Sequence, residues 1–172
     1  SNAADCYERR NVGEIRADDI NVYNMGGVAG SGASFWCLAD VEKFAESIMT
    51  KSEAIYTEEM YDLAERNYTE DCKRTDSYED RGLGWLVYGG KNINAGDLFP
   101  RYPDGFTFGH TGWTGVSVFF NRADDAYVIV LTNATRYNNI RSGFTGFDYM
   151  DTHRVRCDIH NAILADIKGE TN

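Results

Sequence analysis

The sequence is poor in proline, in long apolar runs and in positive charge. Two prolines in 172 residues argue against a linker-rich or fibrous chain, and 42% hydrophobic residues exclude intrinsic disorder. No run approaches the roughly 18 consecutive apolar residues that a spanning helix needs, so we expect no membrane span. Lys and Arg number 17 against 27 Asp and Glu, which gives a formal charge of -10. This balance argues against a nucleic-acid partner, because no basic cluster is available to neutralise phosphates.

Cysteine is scarce, and its spacing excludes two classes of protein. The four cysteines are Cys6, Cys37, Cys72 and Cys157, and no two of them form a Cys-x-x-Cys pair. Zinc ribbons and thioredoxin-like proteins need such pairs, so neither class fits. One or two disulfides stay open, and the sequence assigns no pairing.

Two patterns suggest a cofactor, but neither is complete. The glycine-dense segment 26–32 lacks the Gly-Lys-Ser/Thr ending of a phosphate-binding loop. His153, Cys157 and His160 fall at i, i+4 and i+7 of a predicted helix, and i to i+7 spans roughly 10 Å along the axis. That separation is too long for one metal ion, so we expect core packing for Cys157 and exposure for His153. The sequence therefore predicts no metal and no other cofactor.

The chain is expected to contain one domain. Residues 1–3, Ser-Asn-Ala, have the form of a remnant of tag cleavage, and residues 4–172 form the predicted domain. Apolar side chains at the helical period predict helices at about 37–50, 57–68 and 151–168. Alternating or unbroken apolar segments predict three antiparallel strands, at 82–88, 106–121 and 126–132. The fold class is therefore α/β (α+β), an antiparallel sheet flanked by helices.

The helical stripes also predict which side chains are buried. The first helix is expected to bury Val41, Phe44, Ala45, Ile48 and Met49. The second is expected to begin after Thr57 as its N-cap and to bury Met60, Leu63 and Ala64. The last helix is expected to bury Val155, Ile159, Ala162, Ile163 and Ile167.

The most informative segment is Gly109-His-Thr-Gly-Trp-Thr-Gly115, where small residues interrupt an otherwise aromatic strand. Glycine weakens a strand, so we expect either that something approaches the backbone closely or that the strand bulges or bends. His110 considered alone is more typical of a structural histidine than of a catalytic one.

His110-Thr111-Gly112 resembles the third box of the serine β-lactamase and penicillin-binding-protein superfamily. That box is usually Lys-Thr-Gly, and His-Thr-Gly is frequent in the class C-like and esterase-type branch. Four further stretches agree with the family in their order along the chain, namely 26–35, 82–85, 127–133 and 159–163. The resemblance covers roughly residues 12–168 and implies a partial β-lactamase/transpeptidase-like fold. It also implies a bacterial protein, either exported to the cell envelope or cytoplasmic.

The resemblance implies acyl transfer through a serine, on an ester, an amide or a β-lactam. Carried over by position, His110 would hydrogen-bond the catalytic tyrosine and the substrate, and Thr111 would contact the acid or acyl part of the substrate. The backbone N–H of Trp113 would contribute to the oxyanion hole, and Gly112 and Thr114 would bind the substrate. Histidine in place of lysine weakens the fixed positive charge, which favours esters or uncharged amides over a β-lactam carboxylate.

The family's nucleophile box, Ser-x-x-Lys, does not occur in the sequence. The residues three positions before the five lysines are Asp40, Ile48, Glu70, Tyr88 and Ala165. One Tyr-x-Asn occurs, at 137–139, but it follows His110, whereas the family places this box before it. We therefore expect the chain to be the C-terminal part of such a hydrolase and to be inactive alone.

The complete hydrolase would take a small-molecule or peptidoglycan-like substrate. The alternative is a stand-alone, non-catalytic domain that binds peptidoglycan or a protein. If the chain is part of such a hydrolase, the sheet edge exposed without the missing part is expected to pair two copies into a homodimer.

Overall fold

The computed structural model describes residues 20–27, 29–30, 32, 34–69, 80–87, 106–112, 114–132 and 149–170. Its helices are α1 (Ile20–Asn24), α2 (Leu38–Met49), α3 (Glu58–Glu65) and α4 (Tyr149–Ile167). Its strands are β1 (Leu86–Val87), β2 (Phe108–Thr111), β3 (Ser117–Asn121) and β4 (Ala126–Val130). The strands form one antiparallel sheet in the order β1-β2-β3-β4. The predicted fold class is confirmed, and Cys6, Cys72 and the Tyr-x-Asn at 137–139 lie outside the described residues.

The segment predicted as one strand, 106–121, forms two strands instead. The chain reverses between Gly112 and Val116, where Gly112 N–H donates to Val116 O (2.7 Å) and Gly115 N–H donates to Gly112 O (3.0 Å). Gly115 has φ = +90°, a left-handed conformation that glycine adopts without steric cost. The glycines that interrupt the aromatic run therefore mark a turn, and the sheet gains a fourth strand.

The sheet is covered on both faces. On one face α2 and α3 contribute Ala45, Ile48 and Tyr61 to a cluster that includes Phe108 and Phe120. On the other face Phe106, Phe119 and Val128 pack with Leu164 of α4. Phe119 and Phe120 are neighbours along β3 and belong to opposite clusters, because successive side chains of a strand alternate between faces. Burying a phenylalanine contributes roughly 1.5–3 kcal/mol relative to leaving it exposed, so β3 links the two halves of the core.

The first two predicted helices are confirmed, but one buried face is not. Thr57 caps α3, its hydroxyl accepting a hydrogen bond from Met60 N–H (3.3 Å). Tyr61, rather than Met60 and Leu63, is buried beside Ala64. Its hydroxyl donates toward Ser47 O (3.2 Å) and Ser52 O (2.9 Å) at the end of α2. A tyrosine with such acceptors can be buried without losing hydrogen bonds, and this rotates α3 away from the predicted face.

The predicted buried face of α4 is wrong. Its apolar stripe is exposed, at 52% for Val155, 37% for Ile159, 40% for Ile163 and 51% for Ile167, and Ala162 is exposed as well. The buried face carries Arg156, Cys157, His160 and Leu164, so core packing of Cys157 is confirmed. Two of these side chains are polar, and both find partners on the β2–β3 hairpin. No helix in the described part of the chain is both long and apolar enough to cross a membrane.

Candidate active site

The His-Thr-Gly segment lies at the end of β2, beyond the strand that covers its edge. All four residues of β2 pair with β3, from Phe108 with Phe120 to Thr111 with Ser117. On the other side β1 pairs only with Phe108 and Gly109. His110 and Thr111 therefore extend past the end of β1, at an edge of the described sheet.

Two hydrogen bonds fix the imidazole of His110. Its Nδ1 lies 2.7 Å from Thr111 O, and its Nε2 lies 3.1 Å from a guanidinium nitrogen of Arg81. A carbonyl can only accept and a guanidinium can only donate. Nδ1 therefore carries the proton and Nε2 accepts, which defines one neutral tautomer of the exposed ring.

Arg81 places a permanent positive charge beside the motif. Its backbone is held by Thr69, whose Oγ1 accepts from Arg81 N–H (2.8 Å), and by Tyr68, whose N–H donates to Arg81 O (2.8 Å). The guanidinium thus adds a fixed cation beside a motif that has histidine in place of the family's lysine. Sequence reasoning missed Arg81, since 29 positions separate it from His110 and no local pattern joins them.

A groove of about 660 Å³ runs beside the motif. Its lining includes His110, Thr111, Gly112 and Thr114 together with the segment from Ser34 to Leu38 that leads into α2. Phe35, Trp36 and Leu38 on that segment are exposed. The volume lies within the range of small-molecule sites, which combine apolar walls with a few polar groups. The structure thus brings four of the predicted site residues to one groove, while Trp113 lies outside the described residues.

The glycine before the motif serves the sheet and not a ligand. A Cβ atom at Gly109 would overlap the ring of Phe119 and Val118 O on β3. At Gly112 a Cβ would lie 2.5 Å from Cγ2 of Val116, across the turn. The close approach predicted from these glycines is therefore made by the neighbouring strand and the turn.

The helix α4 contacts the hairpin through His160 and Ser117, and Ser117 also lines the groove. The two side chains are buried, and His160 Nε2 lies 2.8 Å from Ser117 Oγ. The rings of Phe106 and Phe119 meet the imidazole edge-to-face at 5.3 and 5.0 Å. Burial, together with the charge of Arg156, lowers the pKa of His160 from 6.5 to about 4. His160 is therefore a neutral core histidine at physiological pH.

Comparison with known proteins now decides the family. The family model described as Beta-lactamase matches residues 3–142, which is well over half of the chain. The chain belongs to the β-lactamase family. The predicted resemblance of the chain to serine β-lactamases and penicillin-binding proteins is thereby confirmed.

Individual relatives agree with this family. A protein of Escherichia coli O157:H7, assigned by name as a D-alanyl-D-alanine carboxypeptidase, is 30% identical over 118 residues, 67% of this chain and 26% of the relative. A protein of Salmonella agona with the same name is 26% identical over 116 residues. A solved β-lactamase of Mycobacterium bovis superposes with a TM-score of 0.52 at 19% identity, over 84% of this chain and 53% of that one. The chain thus spans about a quarter of its curated relatives and about half of the β-lactamase structure.

Proposed function

We propose that the chain forms one wall of the active site of a serine hydrolase, and that its reaction is acyl transfer from an ester, amide or β-lactam. His110 would hydrogen-bond the catalytic tyrosine and the substrate, Thr111 would contact the substrate's acid or acyl part, and the backbone N–H of Trp113 would help to stabilise the oxyanion. Gly112 and Thr114 would bind the substrate.

The observation that carries the proposal is the position of His110 and Thr111. Both extend past the end of β1 and line the same groove of about 660 Å³. A strand edge of this kind can present side chains and backbone groups together to a bound carbonyl compound. Both ring nitrogens of His110 are engaged here, by Arg81 and by Thr111 O, so Nε2 would exchange its Arg81 partner to contact the tyrosine or the substrate.

Arg81 favours an acidic substrate. Its guanidinium contacts the His110 ring (3.1 Å), and a guanidinium recognises carboxylates well through charge and paired donors. The relatives' name, D-alanyl-D-alanine carboxypeptidase, fits a peptide that ends in a free carboxylate. We therefore propose a peptidoglycan-like peptide as the substrate class.

The chain alone is proposed to be inactive, because it contains no Ser-x-x-Lys and acyl transfer needs an activated nucleophile. The test compares the purified chain with the protein of its complete reading frame, using nitrocefin, a p-nitrophenyl ester and a D-alanyl-D-alanine peptide. We expect turnover by the complete protein, loss of turnover in its His110→Ala variant, and no turnover by the chain.

Three outcomes would contradict the proposal. Turnover by the chain alone would show that another nucleophile operates. A complete protein that starts near residue 4, or one that binds peptidoglycan without hydrolysing any of the three substrates, would instead support the non-catalytic binding domain.

We also propose that the chain associates with a second copy. In the described sheet β4 is the terminal strand, and a strand edge offers unpaired backbone groups to another chain. The exposed stripe of α4 adds apolar surface. Light scattering at increasing concentration should show a dimer, and a monomer throughout the series would contradict this proposal.

A further inference from the structure

We propose that Arg156 is a positioning residue for the hydrolase reaction, because it holds the turn that follows His-Thr-Gly in place from behind. This inference rests on the proposed function. Arg156 lies on α4, is only 4% exposed and reaches the hairpin from the face opposite α2 and α3. It does not line the groove, so it would act on the reaction only through the turn.

The contacts of Arg156 join both ends of the turn. One guanidinium nitrogen donates to Gly112 O (3.2 Å) and to Val116 O (3.1 Å). The same two carbonyls already accept the hydrogen bonds that close the turn, from Gly115 N–H and Gly112 N–H respectively. Hydrogen bonds from a charged donor are stronger than neutral ones. The helix therefore adds a second connection between the two ends of the turn, beside the turn's own backbone hydrogen bonds.

A second contact, one helical turn further along α4, fixes the helix against the hairpin. His160 contacts Ser117, the first residue of β3, at 2.8 Å. Residues four apart lie on the same face of a helix, so Arg156 and His160 reach adjacent points of one hairpin. Arg156 acts on the turn and His160 on the strand that follows, and the two roles are separable by substitution.

A purely structural contact at this place would not need a cation. Taking a guanidinium out of water carries a large desolvation penalty, and apolar replacements of buried charges are often neutral or stabilising. What Arg156 adds is a charged donor at Gly112 O and Val116 O, so it holds the last residue of the His-Thr-Gly motif, which lines the groove. Groups that stabilise a transition state are effective only when they are held in place before the reaction.

The first test measures the turn in the chain itself, by amide hydrogen exchange. In Arg156→Met the amides of Gly112 and Gly115 should exchange at least about tenfold faster, because the carbonyls that they bond lose a charged donor. The amide of Phe119 should change little, and Arg156→Lys should recover part of the protection. Arg154→Met is the matched control, since Arg154 is an exposed arginine on the same helix and forms an i,i+4 ion pair with Asp158 (3.6 Å).

The second test measures ester turnover by the complete protein carrying the same three substitutions. Arg156→Met should lower kcat about tenfold or more while KM stays nearly unchanged, as expected when an interaction specific to the transition state is weakened. Arg156→Lys should restore part of kcat, and Arg154→Met should match the wild type.

The outcomes separate this inference from the proposed function. Wild-type turnover with unchanged kcat in Arg156→Met, or unchanged exchange at Gly112 and Gly115, would overturn the positioning role alone. Absence of turnover in the wild-type complete protein would overturn both. If Arg156→Met does not fold, Arg156→Lys decides: a lower kcat with normal KM supports the role, and wild-type kinetics with wild-type exchange overturns it.

Discussion

Acidification should destabilise the chain through His160 in a pH range above that of most carboxylates. The folded protein binds a proton on His160 only near pH 4, whereas the unfolded chain binds it near 6.5. Since the folded pKa is the lower one, the stabilisation is fully present above pH 6.5. It is lost progressively as the pH falls from 6.5 to about 4, and below that value no further loss arises from this group.

The magnitude follows from the difference of 2.5 between the two pKa values. Each pKa unit corresponds to about 1.4 kcal/mol, so the free energy of unfolding falls by about 3 kcal/mol in total. About 2 kcal/mol of this decrease has occurred by pH 5. The imidazole is fully buried among Phe106, Phe119 and Ser117, so solvent does not screen the effect. For a domain whose whole stability is 5–15 kcal/mol, this loss is large.

The contribution of His160 to the pH dependence of stability can be isolated by urea denaturation. The wild type and His160→Gln are compared at several pH values between 7 and 4. Glutamine retains hydrogen-bonding groups for Ser117 but does not titrate. Every other acidic or basic group is common to the two proteins and cancels in the difference. The wild type should be the more stable protein at pH 7, and its advantage should shrink by about 3 kcal/mol by pH 4.

Two results would refute this reasoning. A stability difference that stays constant from pH 7 to pH 4 would mean that His160 is not held neutral by burial. An imidazole resonance that disappears in His160→Gln and titrates near pH 6.5 in the wild type would lead to the same conclusion by NMR. Parallel loss of stability in both proteins below pH 4.5 would come from carboxylates and would not bear on His160.

Three further predictions concern the sheet, the helices and the site. Gly109→Ala should lower the free energy of unfolding by about 1–3 kcal/mol, because the added methyl group would overlap Phe119 and Val118 O. Urea denaturation measures this change, and Gly30→Ala is the control because the space around Gly30 is open. Arg122→Met should lower the free energy of unfolding by about 2 kcal/mol. The substitution removes the ion pair with Glu65 and the hydrogen bonds to Ile48 O (3.0 Å) and Met49 O (2.9 Å) at the end of α2. Arg154→Met is the control and should change the free energy of unfolding by less than about 0.5 kcal/mol. Arg81→Met should shift the ring resonances of His110 and, in the complete protein, should slow a D-alanyl-D-alanine peptide more than a neutral ester; equal effects on both substrates would contradict acidic-substrate recognition.

Local pattern was sufficient for α2, for the position of α3 though not for its buried face, and for the break between strands at 121 and 126. The stripe of α2 is buried or half-buried as predicted, with Ala45 and Ile48 innermost, because a helix beside a sheet buries its most apolar face. The turn at 122–125 follows from a polar run between two apolar strands, and Asp125 takes the left-handed conformation there (φ 47°). The short helix α1 has no such stripe and was not predicted.

The site itself was only partly predictable. The motif led to His110 and Thr111, and the groove brings both together. The partners that orient the site come from distant parts of the sequence: Arg81 precedes β1, and Arg156 lies on the last helix. Neither has a signature, because an arginine on a loop or a helix is ordinarily solvated. Only the tertiary arrangement makes Arg81 a neighbour of His110 and buries Arg156 behind the turn.

The orientation of α4 bears on how much of the fold this chain represents. Polar partners on the hairpin hold Arg156 and His160 inward, which leaves Val155, Ile159, Ile163 and Ile167 at 37–52% exposure. An apolar row opposite the face that packs on the sheet is characteristic of a helix that is buried on both sides, whereas an isolated domain rarely exposes such a row. The chain covers 53% of the β-lactamase structure that it resembles. An outer layer over α4 therefore fits the proposal that the chain is part of a larger hydrolase. If so, the stripe should become protected from hydrogen exchange in the complete protein, and equal protection in the chain and the complete protein would contradict that reading.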